Sequence, residues 1–296
     1  MALIPIMNPI KDALDNLPIG ENKSYHVHIR NDPRNYIGMS SVGHKCLRFL
    51  QYSFRKAFPK PSHSYRIERL FSQGHLLEES MRQDLVGIGA KVYDEQMELI
   101  GFAGHWKGHI DGRAKGLPSC EKTEHLWENK THNDKNFKVL VKSQSVRESY
   151  PEHYDQMIAY MGYAKLIRGL YTAINKNNNE IYVERIYFDE NRFEEVEFKM
   201  IEAVIADRLY PKIGTGKTTW GDCRYCPAKG VCHNNETIEM SCRTCRHVSI
   251  ENEGKWRCEE PKSELFRKAH PLTNKELTPE QLDKGCAAYE LEDMLK

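Results

Sequence analysis

Between residues 39 and 58, in "MSSVGHKCLRFLQYSFRKAF", apolar positions recur at helical spacing: Val42, Cys46, Phe49, Leu50 and Phe54, with Ser40 or Ser41 placed as an N-cap. A second helical pattern fills 64–89 and runs into glycine. Period-two alternation then takes over, and 91–99, 102–111 and 123–131 are expected strands. "YPEHYDQMIAYMGYAKLIRG" (150–169) is predicted as a helix opened by Pro151 and closed by Gly169. Residues 171–176 and 180–188 flank "NNN" as a hairpin, and 193–210 return to helix. This order predicts an α/β fold with a mixed central sheet flanked by helices. Residues 1–35 show little periodicity and are expected to form an N-terminal arm. After His233, "NNETIEMS" is linker-like, so 36–235 is expected to be the main domain and 236–296 a small cysteine-bearing tail.

The alternation has a chemical consequence in "HLWENKTHND" (125–134). Glu128 and Lys130 stand two apart and therefore on one face of a strand. Burying an acid and a base there is costly unless each finds a partner. Asp111 falls at the end of the preceding strand, with Gly112 expected to turn the chain. If these strands are neighbours, Asp111 and Glu128 converge on a divalent cation. Two carboxylates, the backbone carbonyl of Asn129 and water suit Mg²⁺ or Mn²⁺. Lys130 would then orient a metal-bound water or neutralise a crowded phosphate. In "FSQGHLLEE" the helix can aim Glu78 at the site as a third carboxylate, with Glu79 and His75 as rivals. Gln156 and Tyr160, four apart, share a helix face and can orient the nucleophile or grip phosphate. An E-x-K pair alone usually marks a surface ion pair worth little, so the weight rests on the combination.

Composition narrows the partners only slightly. The 296-residue chain has a net charge of +1, neutral toward a polyanion overall. Lys130, Lys135, Lys138, Lys142 and Arg147 make a local basic patch, which alone reads as a solvated loop. No apolar run is long enough for a membrane span, and no basic segment leads into an apolar stretch as in a signal peptide, so a cytoplasmic protein is expected. "PKIGTGKTTW" (211–220) imitates a phosphate loop, but Pro211 stands where that loop needs a glycine N–H.

Seven of nine cysteines crowd into 223–286, and two C-x-x-C pairs point to metal ligation rather than disulfides. Cys223, Cys226, Cys242 and Cys245 have good zinc spacing, but that choice leaves Cys46 and Cys232 unused. The preferred partition sets Cys46, Cys223, Cys226 and Cys232 in one group and Cys242, Cys245, Cys258 and Cys286 in a structural zinc site. His247 or His270 could replace a tail cysteine, and Cys120 is left as a thiol in a hairpin loop.

"GHIDG", "WENK" and "YDQMIAY" resemble motifs II, III and the Q-x-x-x-Y helix of the PD-(D/E)xK nuclease superfamily in its RecB-like branch. "RLFSQGHLLEE" resembles that branch's motif I helix, with Glu78 where histidine is often found. The resemblance spans roughly 36–235. It implies a restriction-endonuclease-like core, Asp111 and Glu128 as metal ligands, Glu78 as a further ligand, Lys130 as catalytic lysine, and Gln156 with Tyr160 in support. "CRYCPAKGVC" with Cys46 is similar to the iron–sulfur nucleases of the CRISPR-associated and AddB types, which implies a 4Fe–4S cluster clamping the first helix to the end of the core. The function implied is a metal-dependent DNA exonuclease. It would process single-stranded or duplex ends in recombination, repair or phage replication, beside a strand-annealing protein or helicase, in a bacterial or phage-infected cytoplasm. Two alternatives stay open: a CRISPR-adaptation nuclease trimming captured DNA, and a non-catalytic DNA-binding module with structural metals.

Overall fold

The computed structural model describes residues 9–10, 34–59, 65–216, 221–260 and 276–296, without the side chains of 65–69. The expected N-terminal arm lies outside the described residues except for 9–10 and 34–35, and so do 217–220 of the false phosphate loop. The chain divides into two compact units. Among the described residues, 9–10, 65–99 and 108–194 make the first, and 34–59, 100–107, 195–216, 221–260 and 276–296 the second. Among the described residues no helix is long and apolar enough to cross a membrane.

The first unit is built on a five-stranded mixed sheet whose spatial order follows the chain. Its strands are β1 (Lys91–Tyr93), β2 (Gly112–Lys115), β3 (His125–His132), β4 (Arg168–Asn175) and β5 (Ile181–Tyr187). Only β3 and β4 pair in parallel, with Leu126 opposite Gly169, and the other neighbours are antiparallel. A parallel pair needs a long crossover, and residues 133–167 supply it. Helix α1 (Tyr65–Gly87) precedes the sheet, and the crossover holds α2 (Asp134–Ser143) and α3 (Pro151–Ala164). The expected α/β architecture is therefore the one observed.

Each face of the sheet takes a helix. Met81 and Leu85 of α1 pack with Trp127, Leu170 and Ile174, so the odd-numbered side of β3 is the α1 face. Helix α1 stops as Gly89 enters the left-handed region at φ +95°, where its N–H reaches the Val86 carbonyl. Helix α3 lies on the other face and is buried continuously from Tyr154 to Met161. Its polar members are satisfied: Arg192 donates from Nε and Nη2 to both oxygens of Asp155, at 2.7 and 2.8 Å.

The strand expected over 91–99 is regular only at Lys91–Tyr93 and Glu98–Gly101, and the helix expected over 193–210 runs Glu190–Ile205; other boundaries move for evident local reasons. The 39–58 helix shrinks to Leu47–Phe54, because Ser41 Oγ turns back to the Gly38 carbonyl and His44 Nδ1 accepts the Cys46 N–H. The strand expected over 102–111 is regular only across Trp106–His109, and Gly112 opens β2 instead of turning the chain. A Cβ at Gly112 would stand 3.2 Å from Val92 and 3.3 Å from Trp127, so close packing explains that glycine. Helix α3 ends at Ala164, where Lys165 adopts φ 56° and its N–H returns to Met161 and Gly162. Gly169 lies inside β4, where a Cβ would meet the Met157 methyl at 2.8 Å. The basic patch is carried largely by helix α2, not by a solvated loop.

The second unit has a short helix, Leu47–Phe54, and an antiparallel hairpin, Val248–Ile250 with Trp256–Cys258. Trp256 is fully buried between the guanidinium groups of Arg55 and Arg243. Arg243 is itself buried and donates from Nε to Asp283 at 2.7 Å.

Gly162 separates two opposing effects. Alanine in a helix interior should stabilise by about 1 kcal/mol. A Cβ there, however, would fall 2.2 Å from the Phe193 ring. Overpacking of that kind costs roughly 1–3 kcal/mol. Gly162→Ala should therefore lower the midpoint of chemical denaturation, and a raised midpoint would show that the ring yields freely.

Candidate active site

The end of β3 is the chemical centre of the first unit. Its alternation puts Glu128 and Lys130 on the α3 face. Lys130 Nζ donates to Glu128 Oε1 at 2.5 Å, and Gln156 Nε2 from α3 donates to the same oxygen at 2.8 Å. Tyr160, one turn on from Gln156, is buried beside it, and its ring fills the space left by Gly108. Asp111 sits in the turn just before β2. The register places Gly112 opposite Trp127, so Asp111 comes level with the next residues of β3. The Asn129 N–H donates to Asp111 Oδ2 at 2.7 Å. Glu78 approaches from α1, held by Gln96 Nε2 at 3.1 Å and with His75 Nδ1 at 3.7 Å. Glu79, its rival, instead pairs with Arg82 at 2.7 Å.

These charges act on one another. Burial pushes the Asp111 carboxyl well above the usual range, and the negative charges of Glu128 and Glu78 push it further. Glu78 is raised chiefly by burial, with Glu128 adding to the rise against His75 and Lys130. Burial alone would depress the Lys130 ammonium, but Glu128, Asp111 and Glu78 outweigh it and the net shift is upward. Lys130 is therefore a cation at neutral pH. Tyr160 is raised by burial and by Glu128, so it stays a neutral phenol.

One atom tests whether a hard divalent cation fits. Glu128 Oε2 is buried and has no hydrogen-bond partner among the described residues. A buried carboxylate oxygen without a donor is costly, and such an oxygen is the ligand that Mg²⁺ or Mn²⁺ prefers. Asp111 lies nearby with its charge disfavoured, as expected of a group whose counter-ion is a metal. The donor set fits a hard cation, although among the described residues no three His, Cys, Asp or Glu side chains already stand as a ready-made metal site.

Sequence reasoning missed an aromatic wall beside this centre. His132 continues the face of Glu128 and Lys130, and its ring stacks on Tyr150 at 4.6 Å. Tyr150 in turn stacks on His153 at 5.1 Å. The buried Tyr171 hydroxyl lies 3.1 Å from His132 Nε2 and 3.0 Å from His153 Nδ1. Burial first, then the Lys130 charge, hold His132 down at about 4 and His153 at about 3. The signal was present: His132 lies two residues beyond Lys130 on a strand, and His153 three before Gln156 on a helix. The rings border a cleft of about 520 Å³ that is also lined by Lys130, Glu78 and residues of α1.

The cysteines occupy the second unit in two groups. Cys46, Cys223, Cys226 and Cys232 line one small cavity. Cys242, Cys245, Cys258 and Cys286 line another with His247 and Glu260, and burial pushes the Cys242 thiol to about 12, helped by Cys286, Cys258 and Cys245. The rival pairing of Cys223 and Cys226 with Cys242 and Cys245 is thus not the one brought together. His270 lies outside the described residues. Cys120 sits in the loop between β2 and β3 and receives Arg185 Nη2, and none of the nine cysteines is in a disulfide.

No family model matches the chain, and no curated protein matches it. Among solved structures it is similar to an alkaline exonuclease (LHK-Exo) from Laribacter hongkongensis, at 17% identity and TM-score 0.43, over 57% of this chain and 86% of that one. It is also similar to SSO0001, at 16% identity and TM-score 0.39, over 75% of this chain and 93% of that one. A phage-related exonuclease from Haemophilus somnus 129PT matches at 12% identity and TM-score 0.39, over 57% and 91%.

The crowding of carboxylates gives a signed prediction for metal-free protein. A carboxyl raised in the folded state contributes stability below its unfolded value, which is lost as pH rises through the folded one. Asp111→Asn should therefore melt higher than wild type at pH 7 in chelator, by about 2–4 °C. The gap should close near pH 3–4, roughly where an unfolded aspartate is protonated. Equal melting points at pH 7 would mean that neither burial nor the neighbouring carboxylates disfavour the Asp111 charge.

Proposed function

We propose that this chain is a divalent-metal-dependent DNA exonuclease. The observation that carries the reading is Glu128, whose Oε1 takes Lys130 and Gln156 while its buried Oε2 has no partner among the described residues. Glu128, Asp111, the Asn129 carbonyl and Glu78 would hold Mg²⁺ or Mn²⁺. When bound, the ion supplies Lewis acidity and lowers the pKa of a coordinated water.

The protein's own groups do the rest. Gln156 fixes the Glu128 carboxylate so that one oxygen stays open. Lys130, held as an ammonium by three carboxylates, neutralises charge as it builds on the phosphate oxygens. Tyr160 stays neutral and packs Gln156 in place. Lys135 and Lys142 are exposed on α2, directly after β3, where phosphates of the strand can reach them.

The cysteine groups belong to the same reading. Cys46, Cys223, Cys226 and Cys232 would carry a 4Fe–4S cluster, and Cys242, Cys245, Cys258 and Cys286 a structural zinc. Residues 36–235 would then be the nuclease part and 236–296 a metal-stapled tail. DNA ends are the substrate on this reading, with a strand-annealing protein or helicase as partner in a bacterial or phage-infected cytoplasm.

Lys130→Ala should lose cleavage of DNA ends by at least about 100-fold with Mg²⁺ or Mn²⁺, the scale of removing one charge-stabilising donor. Its circular dichroism should match wild type, and a folded variant that still cuts would reject the assignment. After anaerobic purification, metal analysis should give about four iron atoms and one zinc per chain. Cys46→Ser should lose the iron alone and Cys258→Ser the zinc alone. Zinc without iron in the wild type would overturn the cluster.

A further inference from the structure

The hydrolytic group uses Glu128, Asp111 and Lys130 but leaves the ring wall beside it unexplained. Tyr150 and His153 are half-buried, stack on each other, and border the same cleft as Lys130. Leu70 and Phe71 of α1 border it too and are 36% and 53% exposed. A site that gripped only phosphate would need cations and amides there, not rings and aliphatic carbon.

We propose that this cleft seats one unpaired nucleobase of a single-stranded DNA end, stacked on the Tyr150–His153 pair beside Lys130. The inference rests on the nuclease reading and names the form of substrate it takes.

Four points favour that occupant. A base inside a duplex has both faces stacked and a terminal pair offers only its outer face as part of a rigid pair, so an unpaired base is the better occupant of an aromatic wall. The wall is uncharged, because both histidines are neutral at physiological pH. The Tyr171 hydroxyl has one proton and lies between two imidazoles, so it can donate to one ring nitrogen while accepting from the other. That bridge fixes the orientation of both rings. Finally, Asn129 is 7% exposed, borders the cleft, and its Nδ2 has no partner among the described residues. It is a buried donor of the kind that a base carbonyl would satisfy.

The test uses the full-length protein with Ca²⁺ in place of Mg²⁺, so that DNA is bound and not cut. A single-stranded oligonucleotide carries 2-aminopurine at its terminal position, or an abasic site there. Binding should quench the 2-aminopurine. Wild type should bind the abasic end about ten-fold more weakly than the intact one, the scale of one lost stack. Tyr150→Ala should bind both ends equally weakly, and Tyr150→Phe should restore the preference. Equal wild-type affinity for abasic and intact ends would overturn the proposal, and so would tighter binding of a blunt duplex. The abasic comparison needs no variant, so a Tyr150→Ala chain that failed to fold would not block it. Cleavage is scored separately with Mg²⁺. Wild type that cuts but ignores the missing base refutes the stacking alone, whereas wild type that stacks but never cuts refutes the nuclease reading alone.

Discussion

Glu128 is 2% exposed at the centre of a sheet, and its two oxygens lead different lives. One accepts from Lys130 and Gln156. The other meets no donor among the described residues. An apolar residue at this place would fold with less expense, since buried ions seldom repay their desolvation. Much of the first unit is arranged around that uneven carboxylate. The register of β2 brings Asp111 level with it, α1 delivers Glu78, and α3, buried from Tyr154 to Met161, supplies Gln156. The polar groups that α3 buries each have a defined partner, with Arg192 on Asp155 and Glu128 on Gln156.

The two faces of β3 divide the labour. The side carrying Trp127 and Asn129 meets α1: Trp127 packs there, and its indole N–H reaches Thr172 at 2.9 Å, which in turn reaches Asn129. The side carrying Glu128, Lys130 and His132 meets α3 and bears the titratable groups. A strand with this alternation must be buried on both sides to function, and its burial pattern shows that it is. In the second unit the same economy appears in a different form. Its regular elements are short, and its packing leans on Trp256 between two arginines and on thiols gathered in pairs of C-x-x-C.

What could be read from the residues alone followed from periodicity. Two-residue spacing put Glu128 and Lys130 on one face, and four-residue spacing put Gln156 and Tyr160 on one helix. Both hold. C-x-x-C spacing alone leaves two cysteine pairings open; the preferred one comes from employing eight of the nine, and each of its two sets lines one cavity. The errors came where side-chain chemistry overrides pattern. His44 and Ser41 bond locally and keep 39–46 out of the helix. Gly112 and Gly169 look like turn residues, yet they are small because Trp127 and Met157 press against them. Lys165 ends a helix in a conformation usually left to glycine or asparagine. The ring wall was overlooked because His132, Tyr150, His153 and Tyr171 come from four separate places, and each alone reads as an ordinary core or surface residue.

The single parallel pairing in the sheet has a consequence for synthesis. Leu126 of β3 faces Gly169 of β4, so the central strand leaves the ribosome well before its neighbour exists. Until then it shows unpaired backbone and two buried-type faces to the cell, which is the condition under which nascent chains stick to one another. The acidic centre is incomplete over the same interval, since Gln156 lies in the crossover still being made. Slow translation through 133–175 should therefore favour aggregated over native product, and holding chaperones should matter most there.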